Sequence, residues 1–98
     1  MICCSFVFEP GDYDAQFHEL NDAIDAFASA LPGFVRVDSW RSADGKRRNS
    51  MYFFEDYAAV KELAQFPQHL TAKSQVDRWY LDYRVDVYEL KTSYGKTS

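Results

Sequence analysis

HLTAKSQVDRWYLDYRVDVY, the stretch from His69 to Tyr88, changes its periodicity half-way. His69, Ala72, Val76 and Trp79 recur at steps of three, four and three, which predicts a helix carrying an imidazole and an indole on one apolar face. From Leu81 to Leu90 the period is two. Tyr83, Val85 and Val87 alternate with Asp82, Arg84 and Asp86, so a strand follows directly. A helix from Pro67 to about Trp79 that runs straight into an aromatic strand is a way to line a pocket.

Upstream, Glu55-Asp56 opens a shorter helix through Tyr57, Val60 and Leu63. It is interrupted at Phe66-Pro67, because proline disfavours helix in the residue before it. Before it, Phe34 to Arg41 and Met51 to Phe54 read as strands joined at Ser42-Ala43-Asp44-Gly45, where Asp-Gly suits positive φ; the pair should be a hairpin. Ile2 to Glu9 is a first strand stopped by Pro10-Gly11, and Asp12 or Asp14 can cap the helix after it. Phe17, Leu20, Ile24, Phe27 and Leu31 make that helix amphipathic, with Asp14, Glu19, Asp22 and Asp25 on a solvated outer face. The order β-α-β-β-α-β is the split βαβ pattern of ferredoxin-like α+β folds, an antiparallel sheet with both helices on one face. The other face needs a cover, and a second copy's sheet would supply it as a dimeric α+β barrel.

Composition points the same way. Ninety-eight residues make one domain, here residues 1–91 followed by a polar tail over 92–98, and 17% aromatic content is more than so small a monomer hides easily. A net charge of -4 argues against a nucleic-acid partner, and Lys46-Arg47-Arg48 reads as a solvated hairpin end. The adjacent Cys3 and Cys4 fall on opposite faces of a strand, lack metal or redox spacing, and read as small buried apolar residues in a reducing compartment. No segment reaches the ~18 apolar residues of a membrane span, so a soluble cytoplasmic protein is expected. His18 and His69 lie on separate elements with no acidic cluster at ligand spacing, so no metal is expected, and no Gly-rich phosphate loop or nucleophile elbow occurs.

Leu31-Pro32-Gly33-Phe34, Ser39 to Gly45, and His69, Ala72 and Trp79-Tyr80-Leu81-Asp82-Tyr83-Arg84-Val85 together resemble the antibiotic biosynthesis monooxygenase domain family, over nearly the whole chain. The resemblance implies a homodimer with one pocket per subunit between helices and sheet. It also implies oxidation of a phenolic or quinol-like aromatic compound by dioxygen, with no flavin or metal cofactor. Such chemistry needs a group that takes a phenolic proton and aromatic walls that exclude water. On that footing His69 and Tyr52 are the catalytic candidates, with Trp40, Phe54, Trp79, Tyr83 and Arg84 as substrate contacts.

Each candidate has a structural explanation too: His69 as a buried core histidine, Trp40 and Trp79 as packing, Tyr83 as an interface residue, Arg84 as the partner of Asp86. Phe53-Phe54 stands where many similar sequences carry Trp, and the Gly often found between His69 and Trp79 is missing. The alternatives are a haem-binding or haem-degrading protein with His69 as axial ligand, and a non-catalytic dimer that binds a small hydrophobic molecule. The haem branch is similar only through His69: the first strand has no Asn, and Leu63 stands where a Trp would be expected.

Overall fold

The computed structural model describes residues 1–96; Thr97 and Ser98, the end of the expected polar tail, lie outside the described residues. Eight elements follow one another: β1 (Ile2–Pro10), α1 (Ala15–Ala30), β2 (Phe34–Arg41), β3 (Arg48–Phe54), α2 (Tyr57–Gln65), α3 (Pro67–Lys73), α4 (Val76–Trp79) and β4 (Tyr80–Glu89). The strands form one antiparallel sheet in the order β2-β3-β1-β4, the ferredoxin-like arrangement expected from the sequence.

Local chemistry sets the boundaries. Asp14 caps α1 by accepting from the Phe17 N–H at 2.9 Å, and Asp56 caps α2 through the Ala59 N–H. Gly33 adopts φ 92°, which lets the chain turn from α1 into β2, and its carbonyl accepts from the Glu55 N–H at 2.7 Å. At the hairpin end Asp44 accepts from the Ser42 hydroxyl at 2.6 Å and the Lys46 N–H at 2.9 Å, with Gly45 at φ 76°.

The single long helix expected from Pro67 to Trp79 is two helices. Phe66 takes extended geometry before Pro67, as proline requires. At the other end the Ser74 hydroxyl bonds the Thr71 carbonyl at 2.6 Å and the Gln75 N–H bonds the Ala72 carbonyl three residues back. Serine competing for backbone carbonyls ends α3, and α4 restarts at Val76. His69 and Trp79 therefore sit on different helices and do not share one face.

The pairing register sorts side chains into rows across the sheet. Facing the helices are Tyr83–Phe8–Arg48–Arg41, then Val85–Phe6–Ser50–Ser39, then Val87–Cys4–Tyr52–Val37. On the opposite, uncovered face are Arg84–Val7–Asn49–Trp40, Asp86–Ser5–Met51–Asp38 and Tyr88–Cys3–Phe53–Arg36. The core is two apolar clusters on the helix side. One joins Ala28, Leu31 and Ala59 to the fully buried Phe54, with Phe27, Phe34 and Leu63 around it. The other centres on Trp79, 2% exposed, against which Phe17 packs edge-on at 5.4 Å. Burying each large ring contributes roughly 1.5–3 kcal/mol.

Candidate functional site

Between the two clusters the helix-facing surface is half-covered and carries the perturbed groups. Tyr52 donates from its hydroxyl to Asp25 of α1 at 3.0 Å. Burial pushes the Tyr52 phenol well above its usual range, and the Asp25 charge and hydrogen bond add to it, so it stays protonated. Burial does the same to Tyr80, helped by the nearby Tyr13 and Tyr52, which places three phenols in one neighbourhood. Cys4, directly across from Tyr52, is pushed up to about 11 by burial and is an unreactive thiol.

An aromatic wall adjoins this group. Phe6 packs on Phe8 at 4.9 Å and edge-on to Tyr80 and Tyr83 at 5.2 and 6.1 Å, while Tyr13 stacks on Phe17 at 3.8 Å. From the helical layer β4 is closely approached by the short α4, so Tyr83, Val85 and Val87 stay 44, 58 and 49% exposed on the helix side. Apolar strand residues are left open here beside half-buried phenols.

His69 lies in α3, which packs on α1 and α2. Its ring is half-buried, and Nδ1 is sealed from solvent with no hydrogen-bond partner. Burial, and then the charge of Lys73, lower its pKa below the ordinary 6.5 although the Ala64 backbone pulls the other way; the ring is neutral at pH 7.

The remaining sequence candidates divide by face. Tyr83 stands on the open wall. Phe54 and Trp79 are shut inside the core and are closed to a ligand. Trp79's indole N–H, near enough to Asp14 to help lower that carboxyl, finds no well-formed partner. Trp40, 63% exposed, and Arg84 stand on the face away from the helices, where they cannot wall the same surface; Arg84 pairs with Asp86 at 3.0 Å. Strand parity separates them: Tyr83 and Arg84 are neighbours and must point oppositely. Asp25 is the residue that sequence reasoning missed. The sequence places it on the solvated face of α1, and Tyr52 reaches it there from β3.

Two hollows lie on the uncovered face, one of about 450 Å³ lined by Cys3, Ser5, Arg36, Met51, Phe53 and Tyr88, and one of about 290 Å³ lined by Val7, Trp40, Arg47 and Arg84 among others. Neither holds a histidine. Among the described residues no three His, Cys, Asp or Glu side chains gather as a metal site would, and no helix is long and apolar enough to cross a membrane.

The same backbone recurs in solved structures. The Rv0793 protein of Mycobacterium tuberculosis superposes with TM-score 0.76 at 22% identity, over 96% of this chain and 98% of that one. SnoaB, a cofactor-independent oxygenase from Streptomyces nogalater, gives TM-score 0.73 at 17% identity over 97% of both chains. A proposed antibiotic biosynthesis monooxygenase from Deinococcus radiodurans gives 0.70 at 10% identity over the full length of both. The fold is that of the antibiotic biosynthesis monooxygenases. No protein-family model and no curated protein sequence matches the chain. At 10–22% identity an antibiotic biosynthesis monooxygenase fold fixes the path of the backbone, while the chemistry rests on the side chains.

Proposed function

We propose that this chain is a monooxygenase that oxidises a phenolic or quinol-like aromatic compound with dioxygen and needs no flavin or metal. The observation that carries this reading is the Tyr52–Asp25 pair beside an open aromatic wall. The Tyr52 hydroxyl spends its proton on Asp25, so its oxygen is free to accept a phenolic proton from the substrate. Asp25 is exposed and can pass a proton to water. The phenolate then gives an electron to dioxygen, the two radicals combine to a peroxide anion at the activated ring carbon, and a proton returned from water makes it a hydroperoxide. Loss of water leaves C=O where CH2 stood: one oxygen atom enters the product and the other leaves as water. His69, kept neutral, supplies a hydrogen bond to the anion, and Tyr83, Phe6 and Tyr80 hold the ring. SnoaB, with the same fold, is a cofactor-independent oxygenase.

A second copy completes the molecule in this reading. The uncovered face has Val7, Met51, Cys3 and Phe53 on its inner strands, flanked by Arg36–Asp38 on β2 and Arg84–Asp86 on β4 at 3.2 and 3.0 Å. The same Arg-x-Asp pattern on both edges is self-complementary under a two-fold axis. The test is oxygen uptake with hydroxyanthrones, naphthols and quinols, without added metal or flavin, for the wild type beside Tyr52→Phe, Asp25→Asn and His69→Ala. Uptake that falls in the first two variants supports the relay; no uptake with any compound sinks the oxygenase.

A further inference from the structure

Four of the six arginines are ion-paired to an aspartate: Arg36, Arg47, Arg78 and Arg84. The two without an ion pair or side-chain hydrogen bond among the described residues, Arg41 and Arg48, are direct cross-strand partners. Like charges set opposite one another destabilise a sheet, so this pair is a local cost. Both lie in the row that continues through Phe8 to Tyr83, and Arg48 lies near enough to Tyr13 to oppose the rise that burial imposes on its phenol. Both also border the smaller hollow on the other face, at the end of the sheet where the two faces meet.

We propose that Arg41 and Arg48 clamp a carboxylate carried by a planar aromatic ligand whose ring lies on the Phe8–Tyr83 wall. Strand spacing gives the dimensions: Arg48 is one strand from Phe8 and Arg41 two, at roughly 5 and 10 Å, so the carboxylate sits about one ring width from the stacked ring. Guanidinium forks suit carboxylate oxygens, and an anion between the two arginines turns their mutual repulsion into attraction. The inference rests on the oxygenase reading only for where the ring lies, and it stands or falls by binding, without turnover.

The experiment titrates the fluorescent 6-hydroxy-2-naphthoate and its neutral isostere 6-hydroxy-2-naphthamide into the purified full chain, with Arg41→Gln, Arg48→Gln, Tyr83→Ala and, as a charge-loss control on α2, Lys61→Gln. The wild type should bind the carboxylate at least tenfold more tightly than the amide. Arg41→Gln and Arg48→Gln should each bring the carboxylate toward the amide value, Tyr83→Ala should weaken both ligands alike, and Lys61→Gln should change neither. Both arginines are exposed, and a melting temperature at or above wild type in their variants shows that folding is intact. Equal affinity for acid and amide, no binding of either at millimolar concentration, or an equal loss in Lys61→Gln would overturn the clamp. A charge preference retained in a protein that consumes no oxygen leaves the clamp standing and removes the oxygenase; oxygen uptake without a charge preference does the reverse.

Discussion

Tyr52 on β3 donates its hydroxyl proton to Asp25 on α1 at 3.0 Å, so a half-buried phenol is joined to an exposed carboxylate across the helix-sheet boundary. A relay of this kind works as one unit. Tyr52→Phe removes the link and Asp25→Asn removes the terminal acceptor while keeping the shape, and each should lower kcat by on the order of 10²-fold. The double variant should be no worse than either single one, because the second substitution acts on a path already cut. Initial rates of oxygen uptake measure this, and losses that multiply in the double variant would show two independent roles.

His69 gives a stability signature apart from any activity. Its folded-state pKa lies below the ordinary 6.5, so near and below that value the unfolded chain binds more protons than the folded one. The stability contributed by the neutral buried ring is complete above about pH 7 and is lost as pH falls through 6.5 toward the folded-state pKa. Urea unfolding at pH 8 and pH 5.5 should show the wild type losing stability over this interval, and His69→Gln should lose less. Equal losses in the two proteins would place His69 in a solvated site.

The strands were legible from the chain because each announces itself by alternation and by a turn: Asp44-Gly45 fixed the hairpin and Leu31-Pro32-Gly33 the entry to β2. The break between α3 and α4 was not, since Lys73-Ser74-Gln75 contains neither Pro nor Gly and the interruption comes from a serine hydroxyl reaching a carbonyl. Site residues were harder still. Trp40 and Tyr83 read alike as substrate contacts, yet their register against β3 and β1 puts them on opposite faces, and register is a tertiary fact. Asp25 looked like one more acid on a solvated face because nothing in the spacing of α1 reports that a tyrosine from β3 reaches up to it.

Trp79 should be the costliest single position to truncate. It is 2% exposed, closes the cluster around Phe17, and sits at the α4–β4 junction, where its carbonyl accepts from the Gly11 N–H at 2.7 Å. Trp79→Ala should cost about 3–5 kcal/mol in urea unfolding. The neighbouring Arg78 ties α4 to Asp14 at 2.7 Å, and the Phe17 N–H, together with Trp79 and Arg78, holds the Asp14 carboxyl below its usual range. A carboxylate with a lowered folded-state pKa stabilises above its unfolded pKa of about 3.9 and is lost as pH falls through the lower value. Asp14→Asn should therefore be less stable than wild type at pH 8 and converge on it in acid, which flattens the acid limb of the unfolding profile. An acid limb identical to wild type would show that Asp14 carries none of it.

The uncovered face makes the remaining prediction. Met51 lies between Ser5 and Asp38 in the middle row, with Asp86 at the β4 end of the same row. A glutamate there would add a third carboxylate to that row and to its two-fold mate in a sheet-to-sheet dimer, whereas in a monomer it would lie at a solvent-exposed surface. Sedimentation at micromolar concentration should give a dimer for the wild type and a monomer for Met51→Glu, with unchanged far-ultraviolet circular dichroism. Raising salt should leave the wild-type dimer intact, because the apolar centre outweighs screened Arg–Asp pairs at the rim. A monomeric wild type would show that Arg36, 3.9 Å over the Phe53 ring, and its neighbours cover this face well enough, and would overturn the dimer.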